Sequence, residues 1–211
     1  MKVGVIDYGV GNLGSVIRAL DELRVVPILI KDINELQSCN RLILPGVGNF
    51  GTCTSLLQKG GWVKALREDV IANQKPLLGI CLGMQLLSTT SAESDVNHFP
   101  KSASGLNLIP GRVESLEKIG CDLRVPHVGW NSIKCHSVVD GLFDKIPNGT
   151  DFYFVHSYAF IPENAEHVLA TTDYGVPVTA AVRKGNVWGV QFHPEKSSRA
   201  GSQLLRNFLD S

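Results

Sequence analysis

The chain has 211 residues, 44% of them hydrophobic, and its 20 lysines and arginines balance 20 aspartates and glutamates. That length suits one α/β domain with a sizeable core, and the hydrophobic share is that of an ordinary soluble globular protein. The balanced charge sets up no long-range field, which excludes electrostatic attraction to nucleic acid or to an anionic membrane as the basis of function. Strand and helix signals alternate through the first half. Lys2–Asp7 reads as a strand, Asn12–Leu23 as a helix, Val26–Ile30 as a strand and Ile33–Ser38 as a short helix. Arg41–Leu44 is a strand that runs into Pro45-Gly46-Val47-Gly48-Asn49-Phe50-Gly51. Helical stretches at Thr54–Gln58 and Trp62–Asn73 precede the strand Leu77–Ile80. This order predicts an α/β fold, a mostly parallel central sheet with helices on both faces.

The second half changes character. Short strands at Gly111–Glu114, Ser132–Cys135, Phe152–Val155, Val168–Thr172, Thr179–Arg183 and Val187–Phe192 predict an antiparallel or mixed extension packed on the same sheet. Ser198–Leu209 closes the chain as a helix with Leu204, Leu205, Phe208 and Leu209 on one face. No linker or repeat interrupts the pattern, so a single domain over 1–211 is expected. The polar stretch Ser88–Ser104, with little period of either kind, is expected to be the least ordered.

Cysteine and histidine usage narrows the chemistry. Five cysteines (Cys39, Cys53, Cys81, Cys121, Cys135) are odd in number and lack Cys-x-x-Cys spacing, which predicts a reducing compartment and no disulfide framework. The six histidines show no metal-ligand spacing, so no metal is expected. A first strand beginning at Lys2 and the lack of an apolar run near 18 residues predict a cytoplasmic protein with no membrane span.

The segment Gly79-Ile80-Cys81-Leu82-Gly83 is the most informative in the chain. It joins an apolar strand to a helical stretch, Met84-Gln85-Leu86-Leu87, with glycines two residues before and after a possible nucleophile. That is the pattern of a nucleophile elbow, in which flanking side chains would collide with strand or helix. The helix N-terminus behind it favours thiolate over thiol. Most free cysteines are inert core residues, so the elbow alone does not make Cys81 a nucleophile. A base is also needed, and an orienting partner for it. Val187-Trp188-Gly189-Val190-Gln191-Phe192 leads straight into His193-Pro194-Glu195. In extended chain, residues two apart point to the same side, so His193 can be base and Glu195 its partner. A surface turn with a solvated histidine and glutamate is the plainer alternative.

Two glycine-rich loops each allow two readings. Gly9-Val10-Gly11-Asn12-Leu13-Gly14 spells G-x-G-x-x-G between a strand and a helix, with Asp32 roughly where a ribose-binding acid would stand. A dinucleotide-dependent oxidoreductase is therefore one alternative, and a tight strand–helix turn is another. Pro45-Gly46-Val47-Gly48 leaves a strand expected beside that of Cys81. Its backbone can turn an N–H towards an oxygen above the thiolate and complete an oxyanion hole with Leu82 N–H, or it can be a simple turn.

Together these residues resemble the class I, triad-type glutamine amidotransferases, of flavodoxin-like fold. More narrowly, the chain is similar to the glutaminase subunits of imidazole glycerol phosphate synthase in histidine biosynthesis. The likeness rests on Asp7-Tyr8-Gly9-Val10-Gly11-Asn12-Leu13, the Gly46 and Cys81 segments, Gly105-Leu106-Asn107-Leu108-Ile109-Pro110-Gly111, Pro126-His127-Val128-Gly129-Trp130-Asn131, Phe152-Tyr153-Phe154-Val155-His156-Ser157-Tyr158 and Gln191 to Ser198. The resemblance implies a Cys81–His193–Glu195 triad that hydrolyses L-glutamine without a cofactor. It implies an oxyanion hole at Gly46, Val47, Gly48 and Leu82, and substrate contacts at Gln85, Glu93, Ser157 and Tyr158. It also implies a (β/α)₈-barrel cyclase partner that receives the ammonia, met at Asn12, Trp130, Asn131, Tyr153 and Lys196. Two segments are less typical of the family, Ser88-Thr89-Thr90-Ser91-Ala92-Glu93 and Asp173-Tyr174-Gly175-Val176-Pro177-Val178. They leave open a paralogue that feeds ammonia to another acceptor, as in surface-polysaccharide sugar synthesis.

Overall fold

The computed structural model describes residues 2–93, 103–136 and 141–211. The first half runs β1 (Val3–Ile6), α1 (Leu13–Glu22), β2 (Ile28–Ile30), a 3-10 turn (Ile33–Ser38), β3 (Arg41–Gly46), α2 (Phe50–Lys59), α3 (Trp62–Arg67) with a π-helical turn (Glu68–Ala72), β4 (Leu77–Cys81) and α4 (Leu82–Leu86). The second half runs β5 (Thr90–Ser91), β6 (Ala103–Ser104), β7 (Gly111–Ser115), β8 (His127–Cys135), β9 (Asp151–His156), β10 (Tyr158–Pro162), β11 (Val168–Asp173), β12 (Pro177–Lys184), β13 (Val187–Val190) and α5 (Ser198–Asp210).

Among the described residues, nine strands form one sheet in the order β2-β1-β3-β4-β13-β12-β11-β8-β9. The first five in that order run parallel, and the rest are joined antiparallel. The parallel strands are buried on both faces, and their alternation divides the core in two. Leu42 and Leu44 of β3 pack with Phe50, Leu57, Trp62 and Leu66 of α2 and α3. Ile43, on the other side of the same strand, packs with Val16 and Leu20 of α1 and with Leu204, Leu205 and Phe208 of α5. A strand with period 2 needs cover on both faces, which is why its sequence reads as a continuous apolar run.

The expected antiparallel extension is present in β12, β11, β8 and β9, but β7 is not part of it. It pairs with β10 and β5, in a second sheet ordered β10-β7-β5-β6. The chain crosses between the sheets at Ser157, the single residue between β9 and β10. The sequence reading missed β10 because Tyr158-Ala159-Phe160-Ile161-Pro162 is short, lacks polar alternation and ends in proline. Most of Ser88–Ser104 lies outside the described residues. Its described ends carry β5 and β6, and Ser88 and Ser91 there are buried.

Helix α2 begins four residues before the predicted helix. Asn49 Oδ1 accepts from Thr52 N at 3.0 Å and Glu93 Oε2 accepts from Phe50 N at 3.1 Å, so two N–H groups at this helix start are satisfied by side chains. Asp32 is also a cap. Its carboxylate accepts from Asn34 N at 2.8 Å, and Glu35 reaches back to the Asp32 N–H at 3.2 Å. This capping box accounts for an acid at that position with no ribose to bind. Among the described residues, no helix is long and apolar enough to cross a membrane.

Candidate active site

The carboxyl ends of parallel strands in an open α/β sheet are where ligands sit, because helix N-termini converge there. Strands β3 and β4 end side by side, with Gly46 opposite Cys81. Strand β13 lies parallel on the other side of β4, with Val190 opposite Ile80. The residues that follow β13 therefore emerge beside Cys81.

Cys81 occupies φ 55° and ψ −112°, a conformation rare for a residue with a Cβ and a form of stored backbone strain. Its two glycines are held by close approach. A Cβ on Gly79 would lie 2.6 Å from Gly83 O, and one on Gly83 would lie 1.9 Å from Leu44 O. Strand and helix thus meet at a separation that only hydrogen allows, and the thiol is pushed to the tip of the turn. Helix α4 has only five residues, so its effect on the sulfur comes from the free N–H groups of the first turn.

His193 is held by β9. Its N–H donates to Tyr153 O at 2.9 Å, its carbonyl accepts from Ser197 Oγ at 2.6 Å, and that hydroxyl in turn accepts from Tyr153 N at 3.0 Å. Nδ1 lies 2.7 Å from Glu195 Oε1, with the two side chains 3% and 1% exposed. A carboxylate on Nδ1 fixes the proton there and leaves Nε2 as the basic nitrogen of the neutral ring. Nε2 is buried with no hydrogen-bond partner among the described residues, and the Cys81 sulfur is the group that acts on the ring most strongly after burial. Burial opposes the imidazolium, but the sulfur and the Glu195 carboxylate outweigh it and push His193 up to about 9. This arrangement favours a charged His193 ring at neutral pH.

Cys81 and His193 line a cavity of about 380 Å³, at the small end of the range for small-molecule sites. Val47, Gly48, Leu82, Gln85, Glu93, Pro126, Val155, His156, Ser157 and Tyr158 line the rest of it. Gly48 has φ +93°, which leaves the loop after β3 in a conformation glycine adopts readily. Gln85 is buried, and its Nε2 donates to Tyr158 O at 3.0 Å and to Gln191 Oε1 at 2.8 Å. Its amide oxygen is left to serve the cavity. Burial raises the pKa of Glu93, while Phe50 N and Asn49 hold its charge. The carbonyl of Ser157 accepts from Leu116 N, and that of Tyr158 accepts from both Gln85 and His156. The Tyr158 carbonyl is therefore filled, and a ligand must use another group of this residue. Among the described residues, no three His, Cys, Asp or Glu side chains are grouped to hold a metal ion.

Of the remaining candidate residues, Trp130 and Asn131 lie on β8, Tyr153 on β9, Lys196 in the turn after β13 and Asn12 at the start of α1. Trp130, 54% exposed, meets Tyr153 edge-on at 6.1 Å, and Lys196 Nζ lies 5.8 Å from the Tyr153 ring. Asn12 caps α1 without a side-chain bond, and α1 packs on the Pro194–Lys196 turn. Asn131 donates to Asp173 O at 2.8 Å.

Residues that the sequence reading left without a role also belong to the site. Gln191, fully buried, points Nε2 at Cys81 Sγ at 3.8 Å. His127 and His156 form a buried pair at 3.0 Å, with His127 stacked between Phe154 and Tyr174. All three stand in segments that carried the family resemblance. No periodic pattern marks them, since a buried polar residue shows in sequence only as an interruption of an apolar strand.

A family model described as glutamine amidotransferase class-I matches residues 4–211. The chain is 46% identical over 206 residues to the imidazole glycerol phosphate synthase subunit HisH of Moorella thermoacetica, spanning 98% of this chain and 93% of that one. It is 43% identical over 212 residues to subunit HisH 2 of Vibrio vulnificus, spanning 100% and 94%. It is 37% identical over 214 residues to the HisH subunit of Pelagibacter ubique, spanning all of both chains. Among solved structures, a glutamine amidotransferase aligns with TM-score 0.74 at 22% identity, covering 99% of this chain and 97% of that one. A chain of PurLQS from Thermotoga maritima aligns with TM-score 0.76 at 17% identity and the same coverage. At such identities these two likenesses establish the fold.

Proposed function

The chain belongs to the class I glutamine amidotransferases, with the HisH subunits of imidazole glycerol phosphate synthase as its relatives, and we propose that it hydrolyses glutamine at Cys81 and delivers the ammonia to a synthase partner. The observation that supports this most is the placement of Cys81, on a strained elbow, in one small cavity with a buried His193–Glu195 pair. The single domain spans residues 1–211. A thiol nucleophile suits the reducing cytoplasm, where we place the protein, and all five cysteines are free.

In this reading the Cys81 thiolate attacks the side-chain amide carbon of glutamine while His193 holds the proton taken from sulfur. The developing oxyanion is met by Leu82 N–H and by the backbone of the Gly46-Val47-Gly48 loop. His193 gives its proton to the leaving nitrogen, ammonia departs and a γ-glutamyl thioester remains. Water then attacks the thioester, His193 accepts its proton and returns it to the sulfur, and glutamate leaves. Glu195 orients the ring throughout. Gln85 and Glu93 bind the polar end of glutamine in this reading, and Ser157 and Tyr158 contact the substrate as well. Each step uses a side chain, a backbone N–H or water.

The partner is proposed to be a (β/α)₈-barrel cyclase that makes imidazole glycerol phosphate, docked on Trp130, Asn131, Tyr153, Lys196 and Asn12. Uncaptured ammonia becomes ammonium and is no longer nucleophilic, so a shared interior path gives the glutaminase its use. Low activity of the lone chain and its stimulation by the partner are expected, through a backbone turn at Gly46–Gly48 that completes the oxyanion hole. The deciding experiment is reconstitution with that cyclase. Glutamine-dependent product formation that disappears in Cys81→Ala supports the proposal. Glutamine turnover by Cys81→Ala at the normal rate rejects it.

A further inference from the structure

A run of buried amides and imidazoles joins β8 to the Cys81 sulfur, and its polarity follows from one atom. The Tyr158 carbonyl oxygen can only accept. His156 Nδ1, 2.8 Å from it, must therefore carry a proton, and Gln85 must face it with nitrogen, at 3.0 Å. In one direction, that same Gln85 nitrogen lies 2.8 Å from the Gln191 amide. This end of Gln191 is consequently the oxygen, and the nitrogen is the end that faces Cys81 Sγ at 3.8 Å. In the other direction, His156 Nε2 is the bare nitrogen of a neutral ring and accepts from His127 Nδ1 at 3.0 Å. His127 Nε2 is then also bare, and Asn131 Nδ2 meets it at 3.4 Å while giving its second hydrogen to Asp173 O at 2.8 Å. Asn131 Oδ1 accepts from Ser132 N at 2.9 Å. Both hydrogens of the Gln85 amide and both of the Asn131 amide thus find acceptors. Burial keeps both rings neutral, with His127 pushed down to about 4 and His156 to about 3.

We propose that the Gln191 amide is the donor that holds the Cys81 sulfur in its ionised form, and that Gln85, turned by the Tyr158 carbonyl, is the positioning residue that decides which end of that amide faces it. The proposal rests on the reading of Cys81 as nucleophile. An amide has nearly the same shape either way round, yet its N–H favours a thiolate and its oxygen repels one. Packing alone does not choose between the two, whereas a chain anchored on a backbone carbonyl does. A neutral amide also stabilises the thiolate without competing with His193 for the thiol proton.

Alkylation of Cys81 by iodoacetamide, followed across pH in the full-length chain, reads sulfur ionisation with no glutamine present. Gln191→Glu keeps the shape and the acceptor for Gln85 but removes the N–H. It is expected to slow alkylation at neutral pH about tenfold. Gln191→Leu is expected to do the same, and wild-type alkylation by either variant in folded form overturns the donor role. Gln85→Leu should slow alkylation several-fold in the wild-type background and add nothing in the Gln191→Leu background, whereas additive effects overturn the positioning role. Nitrogen-edited spectra of the unmodified chain need no variant to fold. They should show the His156 proton on Nδ1, facing the Tyr158 carbonyl, and an Nε2 proton on that ring overturns the placement of the carbonyl that turns Gln85. Glutamine hydrolysis surviving in Cys81→Ala would instead reject the nucleophile reading and leave the alkylation and tautomer results standing.

Discussion

Replacing Gly83 with alanine tests the elbow directly. The added Cβ would lie 1.9 Å from the Leu44 carbonyl oxygen, where real Cβ contacts essentially never fall below 3.0 Å, so the two must separate by about 1.1 Å. Leu44 cannot retreat easily, because it is fully buried in β3 and lies opposite Gly79 of β4. Helix α4 has to move, and the Cys81 sulfur moves with it. Overpacking of this kind costs about 1–3 kcal/mol, and in a chain of this length each kcal/mol lowers Tm by about 2–4 °C. A fall of roughly 2–12 °C is expected. Misplacement of a reacting group by about 1 Å costs on the order of 100-fold in rate. Differential scanning calorimetry and glutamate release in the reconstituted complex measure the two effects. Gly14→Ala is the control for stability, since its Cβ meets nothing within 4 Å and alanine at a compatible position adds about 0.4–1 kcal/mol. A Gly83→Ala chain with the wild-type melting temperature and wild-type turnover would refute the close-approach argument.

Cys81→Ala should lower glutamine hydrolysis by at least about 10³-fold and leave the melting temperature within a few degrees, because the strained turn and its glycines remain. Acid should weaken the fold through His127 and His156. Their folded pKa values, about 4 and about 3, lie below the ordinary 6.5, so the unfolded chain binds more protons as pH falls. The stability is present above 6.5 and drops by up to about 1.4 kcal/mol per pH unit for each ring between 6.5 and those values. Urea titrations at pH 7 and pH 5 measure the slope; if His156→Gln does not flatten it, the neutral-pair assignment is wrong. Trp130→Ala should weaken binding to the barrel partner by about 2 kcal/mol or more, read by isothermal titration. In the isolated chain it should shift stability by less than about 0.5 kcal/mol, because the side chain is half exposed. Lys75→Ala should cost about 3–5 kcal/mol, since it strands the carboxylate of Asp69, now 2.7 Å from Lys75 Nζ with both side chains largely buried. Chemical denaturation that shows no loss would exclude that pair as a stability element.

What the sequence determined by itself is local. Alternating strand and helix periods define the doubly covered parallel sheet, because burial on two faces makes a strand a continuous apolar run. Glycines two before and two after Cys81 mark the elbow, since a turn without room for Cβ leaves that trace in residue type. His193 and Glu195, two apart in extended chain, are also a short-range relation. Tertiary structure decided which distant pieces meet. The placement of β13 against β4 brings Gln191 to the sulfur from 110 residues away, and the corner at Ser157 diverts β10 into a second sheet. Glu93 came to the N-terminus of α2, and the carbonyl of Tyr158 fixed the orientation of two amides and two imidazoles. These depend on strand order and on the hydrogen-bond direction of single backbone atoms, neither of which alters the hydrophobic pattern. Only the folded chain could reveal them.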